Sequence, residues 1–317
     1  MFDENNIYIL PKKNKSNSLA WSLLITLSFI WGSSFILIKK ALIAYSPMQV
    51  GSGRIVFAFI AFLPIFLYHY KSIDWRKLKP LIIVGVCGSG LPALLYAVGQ
   101  TQLPSAVAGV LNSLVPICTL LIAILLFKKK YIPKQLFGIL IGLMGVVLIF
   151  FVREDNSDSF PILYAGLILI ATICYGISAN TVSHYLSGMK PVLISTISFV
   201  IIGPFALVYL LSTDFLSITI ENPDAMLSFG ALAVLSVVCT FAANILFFKL
   251  IQITEAVFST TVSYLIPFVA LMWGFFDGEY ISVFHFLSLG LILGGIIIVK
   301  MTSTPKSDDP VITKNSY

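Results

Sequence analysis

From Leu19 onward the chain is a series of long apolar runs separated by short polar breaks, and the runs have the length of a bilayer crossing. A helix needs about 20 mostly apolar residues to span the hydrocarbon core. Turn residues and charges divide the chain into runs at 19–41, 48–69, 80–100, 105–127 and 133–152, then 161–183, 191–211, 226–250, 255–276 and 281–301. A strand of a membrane barrel alternates apolar and polar residues over about ten positions. Stretches such as Leu114–Phe127 and Leu287–Val299 do not alternate, so the runs read as helices. The pattern predicts an all-α integral membrane protein with ten transmembrane helices. The first run, from Leu19 to Ile38, exceeds the roughly 7–15 apolar residues of a cleaved signal and is expected to stay in place as a span.

Composition agrees. The chain is 58% hydrophobic and 11% charged, whereas soluble domains carry about 25% charged residues. A water-exposed surface of this size could not be covered with so few charges. The formal net charge of +6 does not point to nucleic acid, because the bases sit in short clusters between apolar runs. The N-terminus, Lys71–Lys79, Lys128–Lys134, Lys190, Lys249 and the C-terminal tail hold most of them. With ten spans these fall on one side, which the positive-inside rule makes cytoplasmic. The opposite loops carry Glu154, Asp155, Asp158, Asp214, Glu221, Asp224, Asp277 and Glu279, with Arg153 the sole base among them. Lys39 and Lys40, at the outer end of the first span, depart from the pattern. Both termini, residues 1–18 and 302–317, are expected in the cytoplasm, and the protein in the cell (inner) membrane. Cys87, Cys118, Cys174 and Cys239 lie inside apolar runs without metal spacing and read as small hydrophobes.

The two halves resemble each other. Ile30-Trp31-Gly32-Ser33-Ser34 matches Cys174-Tyr175-Gly176-Ile177-Ser178 at an offset of 144, and Pro47 matches Pro191 at the same offset. Asn112-Ser113-Leu114-Val115-Pro116 matches Ser263-Tyr264-Leu265-Ile266-Pro267 at 151, and Gly145 matches Gly295 at 150. The repeats are therefore 19–152 and 161–301. Five spans is an odd number, so the second copy enters the membrane from the opposite face. Two inverted five-helix repeats are a mark of secondary transporters, with substrate held near the midplane between them.

These residues resemble the EamA family of the drug/metabolite transporter superfamily over about 19–301. The resemblance rests on Trp31-Gly32-Ser33-Ser34-Phe35 with Lys39, on Arg54, and on Ser105-Ala106 leading to Leu114-Val115-Pro116. In the second half it rests on Ser263-Tyr264-Leu265-Ile266-Pro267 and Gly278-Glu279. It implies the ten-helix inverted repeat and transport of small metabolites, often as efflux. One departure is visible: Lys128-Lys129-Lys130 stands where many members have Gly-Glu.

Helix rise puts Trp31, Tyr175, Pro92, Pro116 and Pro267 roughly 16–21 Å from the starts of their spans, near the centre of the bilayer. A proline there frees a backbone carbonyl, which is tolerable against protein or a watery cavity. Polar residues within spans face cavities or partners. Tyr96 and Gln100 share a face of span 3; Asn112 precedes Pro116 by one turn; Asn180 lies in span 6. Asn244, Phe248 and Gln252 form a stripe on span 8, and Tyr264 sits in span 9. Each is either cavity lining or helix-packing glue, and the set is the predicted lining. Arg54, Glu255 and Glu279 are the candidate structural or coupling charges. Gly138/Gly142 and Gly290/Gly294 have GxxxG spacing and are expected at close helix contacts.

Other classes fit worse. His69, His184 and His285 lie at or near span ends, and no HExxH, GxSxG or P-loop is present, which argues against an intramembrane enzyme or an ATP-driven pump. No metal or cofactor is expected. A channel or a membrane sensor is the alternative to an alternating-access carrier of metabolites or drugs, with amino-acid-like or amphipathic substrates favoured. The expected partners are that substrate and the lipid bilayer, with homodimerisation left open. No Asp or Glu falls at the membrane centre, so any coupling is expected not to run through a carboxylate there, which leaves facilitated diffusion, movement of the substrate's own charge, or interfacial coupling through Glu255 or Glu279.

Overall fold

A computed structural model describes residues 15–72, 74–128, 133–149, 161–223, 225–254 and 256–301, and the statements below concern these. Glu255, the Arg153–Asp158 loop, Asp224, Lys129, Lys130 and both polar termini lie outside them. The described residues are helical and contain no strand. Seven helical stretches are long and apolar enough to cross a membrane: α1 (Ser18–Ala41), α2 (Pro47–His69), α3 (Trp75–Gly99), α4 (Ser105–Leu125), α6 (Ile162–Tyr185), α7 (Pro191–Leu211) and α8 (Ala225–Ile253). Three more apolar helices are shorter or partly described: α5 (Pro133–Ile149), α9 (Thr260–Phe276) and α10 (Val283–Met301). A short helix at Phe215–Glu221 stands in what read as an acidic loop. Outward positions are apolar: Phe29, Phe205, Val208 and Leu163 are all exposed, as side chains meeting lipid must be.

Local sequence explains the starts and breaks. Ser46 caps α2 in a reciprocal box with Gln49: Gln49 N–H donates to Ser46 Oγ at 3.3 Å, and Ser46 N–H donates to Gln49 Oε1 at 2.9 Å. Pro47 follows at the first turn, where a missing N–H costs nothing. Pro191 opens α7 in the same way. Pro92, Pro116 and Pro267 also sit at first turns, because each stands just after an interruption rather than inside a continuous helix. In α3 the interruption is a π-helical turn at Val86–Gly90, and α8 has its own at Val237–Ala242. In α4 it is the turn at Ser113–Leu114, and α9 begins as a 3-10 turn at Thr260–Tyr264.

α4 is the innermost helix: 78% of its apolar window is buried, against 44–50% for the other six long stretches. It packs on α6 and α9. α2 packs on α3 and α7, α5 on α10, α1 on α8 and α9, α6 on α3, and α7 on α8. Glycine permits two of these crossings at close range. A Cβ on Gly176 would lie 3.0 Å from the Thr119 backbone nitrogen, and one on Gly32 would strike Val269.

The GxxxG expectation holds for Gly138 and Gly142 on α5 and needs correction for α10. Gly290 and Gly294 have open space where a Cβ would go. The α5–α10 contact instead runs through Gly145, against the Ser288 carbonyl, and Gly295, against Gly138 and Gly142. On α10 the helical face buried by tertiary packing is one residue away from the face that the spacing suggested.

Candidate substrate cavity

Helices α1, α2, α3, α4, α6, α7, α8 and α9 surround a cavity of about 910 Å³, counting the part open to solvent. Of the predicted lining, Trp31, Tyr96, Asn112, Tyr175, Asn244 and Phe248 stand in its wall, as does Arg54. Gln100, Asn180 and Tyr264 do not. Gln100 is buried and donates to the Phe35 carbonyl at 3.0 Å. Asn180 donates to the Thr119 and Gly176 carbonyls at 2.8 and 2.9 Å, tying α6 to α4. Tyr264 is half-buried against the apolar core. Gln252, further along the α8 stripe, donates to the Met189 carbonyl.

The wall combines aromatic rings with hydroxyl groups. Trp31 meets Phe247 edge-on at 4.9 Å, Phe35 meets Tyr96 at 5.7 Å, and Tyr96 stacks on Tyr175 at 6.1 Å. Polar atoms are held by the helix breaks. Trp31 Nε1–H donates to the Cys239 carbonyl within the α8 π turn, at 2.9 Å. Tyr96 O–H donates to Asn112 Oδ1 at 2.7 Å. Thr240 Oγ1–H donates to the Leu235 carbonyl, five residues back, at 2.9 Å, and the same oxygen accepts from Arg54 Nε–H at 2.7 Å. Such π turns often mark functional sites.

Sequence reasoning missed Ser34, Ser89, Ser178, Thr240 and Ser263, all in the wall. A hydroxyl in an apolar span usually bonds its own preceding carbonyl, so these residues carried no signal alone. The repeat offset was the signal available: Ser34 pairs with Ser178, and Ser263 with Asn112.

A second polar cluster closes one end of the bundle. Lys39 Nζ lies 2.8 Å from Glu279 Oε1 and 2.7 Å from Asp277 Oδ2, and Lys40 also pairs with Asp277. Glu279 further accepts from the backbone N–H groups of Ser105 and Ala106, both at 3.0 Å, capping α4. Gly278 turns the chain back for this with φ +77°, a region that only glycine adopts without strain. The Glu279 side chain is 3% exposed. At Asp277 burial pushes the carboxyl up, but hydrogen bonds from Lys39 and Lys40 outweigh it and hold the group below its ordinary value. Lys39 and Lys40, the departures from the loop-charge pattern, thus pair with Asp277 and Glu279. Among the described residues no group of His, Cys, Asp and Glu could hold a metal ion.

A bundle of membrane-length helices around an enclosed aromatic and polar cavity is the architecture of a multi-span membrane transporter. The chain belongs to the EamA-like transporter family, whose model matches residues 18–151 and again 162–301. It is 25% identical over 282 residues to an uncharacterized transporter of Archaeoglobus fulgidus, covering 88% of this chain and 98% of that one. It is 26% identical to the S-adenosylmethionine/S-adenosylhomocysteine transporter of Chlamydia muridarum, over 85% of each chain. To the uncharacterized inner membrane transporter YedA of Escherichia coli (strain K12) it is 26% identical over 88% of this chain and 89% of that one. One solved structure shares the fold, with a TM-score of 0.59 at 16% identity over 90% of this chain and 97% of its own.

Proposed function

We propose that the chain is an alternating-access carrier of small organic metabolites, built as two inverted five-helix repeats that cross the inner membrane ten times. Both termini then lie in the cytoplasm, and the carrier works as an exporter. The observation that carries this reading is the make-up of the cavity wall, most of which consists of residues related by the repeat. At an offset of 144 these are Trp31/Tyr175, Ser34/Ser178 and Ile55/Phe199. At 151 they are Ser89/Thr240, Ala93/Asn244, Tyr96/Phe247, Asn112/Ser263 and Val115/Ile266. A site made of matched positions sits on the pseudo-two-fold axis, where exchange of the two halves' shapes opens it to either face.

Two further features support it. The helix contacts map onto themselves when each helix is exchanged for the one five places on: α1–α9 becomes α6–α4, and α1–α8 becomes α6–α3. The π turns of α3 and α8 fall at the same offset, 151, as the lining they carry. The Chlamydia muridarum relative's substrates join an aromatic base to an amino-acid group, and a substrate of that kind suits an aromatic and hydroxylic wall. The test is a metabolite survey of cells and medium with and without expression. The carrier reading expects at least one small metabolite to redistribute across the membrane, and no redistribution of any would contradict it.

A further inference from the structure

Among the described residues Arg54 is the only charged side chain in the cavity wall. Helix rise puts it about 10 Å from the start of α2, a depth at which an unpaired ion is costly. Its Nε donates to Thr240 Oγ1, a neutral group. Among the described residues it has no carboxylate partner, the ion pairs there being those of Lys39 and Lys40 with Asp277 and Glu279. The terminal nitrogens of the guanidinium are thus left for something else, and they form the planar fork that fits a carboxylate in bidentate fashion.

The repeat makes the charge harder to dismiss as scaffolding. At offset 144 the counterpart of Arg54 is Ser198, which lies outside the wall and faces the Leu81 carbonyl. Most of the wall is assembled from matched positions, and this one is charged on one side only. Nearby donors have the same preference for an anion. Tyr96 O–H occupies Asn112 Oδ1, which leaves the Asn112 amide hydrogens free to donate. Among the described residues no wall side chain offers a negative charge in return. The same wall carries Trp31, Tyr175 and Phe247, whose rings suit a flat apolar group.

Resting on the carrier reading above, we propose that the cargo is an organic acid that presents a carboxylate, whether or not it also carries a positive group. Its carboxylate binds Arg54, and its flat or aromatic part packs against Trp31, Tyr175 and Phe247. The desolvation cost of the guanidinium is then offset only when cargo is present, which favours the loaded state.

The test uses purified full-length chain in lipid nanodiscs and matched probes that differ in the acidic group. The pairs are L-tryptophan with tryptamine, and S-adenosylhomocysteine with 5′-methylthioadenosine, each titrated to millimolar concentration against the thermal midpoint. The acid of at least one pair should raise the midpoint while its acid-free partner does not. Arg54→Gln should weaken that response at least about tenfold, and Arg54→Lys should keep part of it. The probe comparison within the wild-type chain stands even if Arg54→Gln fails to fold. An acid-free probe that matches its partner, undiminished acid binding by Arg54→Gln, or no response to either acid overturns the carboxylate site. The metabolite survey judges the carrier reading separately: a cargo lacking any acidic group would leave the carrier standing and remove this inference.

Discussion

The two ends of the central helix α4 are built from equivalent positions and have opposite chemistry. At its start, Lys39 and Lys40 of α1 meet Asp277 and Glu279, and Glu279 also caps α4. The repeat carries Lys40 onto His184 and Glu279 onto Lys128 at the other end. There Phe127 meets His184 edge-on at 5.4 Å, and Lys128 is exposed. Among the described residues no ion pair closes that end. The middle of the molecule keeps its symmetry through apolar packing and close crossings, while one end has gained a latch and the other has lost its acid. Two identical ends would give two states of equal energy. On the proposed alternating-access reading, a latch on one side would bias the resting state toward closure there.

That comparison can be broken or sharpened by substitution. The largest effect is expected at Glu279, because removing its carboxylate strands two backbone donors and Lys39. Glu279→Ala should cost about 3 kcal/mol, read from the unfolding midpoint in detergent, whereas Lys128→Ala should stay within about 0.5 kcal/mol. Equal costs would erase the asymmetry.

The symmetric middle makes the converse prediction. A Cβ at Gly32 meets Val269, and one at Gly176 meets Cys118 and Thr119; position 118 is the repeat counterpart of 269. Gly32→Val and Gly176→Val should each cost about 1–3 kcal/mol by overpacking, and by similar amounts. A cost at one site without the other would show that the two crossings are not equivalent. Gly290→Val, in open space, serves as the control without loss.

The smallest effect is at Asp277, whose lysine partners are partly exposed, so less than about 1 kcal/mol is expected. Its carboxyl is held below the ordinary value in the folded protein. Its contribution is therefore complete at neutral pH and disappears as pH falls through that depressed value. Asp277→Asn should lower the midpoint at pH 7 and lower it by progressively less as the pH falls below about 4. A penalty that grew on acidification would reverse the assigned direction.

Much of this was readable from the chain. Helices α1, α2, α4, α6 and α7 fall close to their expected runs, because apolar length and proline starts are local signals. The cavity residues Trp31 and Tyr175 were found from depth together with the repeat. What escaped depends on which way a helix faces. Asn180 and Gln100 are as polar and as deep as Asn112, yet they satisfy backbone carbonyls of neighbouring helices, and no one-dimensional spacing distinguishes the two roles. The π turns change the facing of everything after them by part of a turn. Ser89 and Thr240 enter the wall because of those turns, and nothing in their immediate sequence announces it. The Glu279 latch joins residues 240 positions apart, although the charge departure at Lys39 pointed to where an acid was needed.

The central claim is that one cavity opens alternately to two faces, with the latch favouring closure on the Lys39 side. It is tested most directly by thiol access to the cavity wall. Cysteine is placed singly at Ser34 or Ser178 in a chain whose four native cysteines are replaced by alanine, and a membrane-impermeant reagent is applied to either face of sealed vesicles. The account predicts that each cysteine reacts from both faces, more slowly from the Lys39 side. Adding Glu279→Gln should shift the ratio toward that side. Reaction from one face only, unchanged by Glu279→Gln, would contradict alternating access through this cavity.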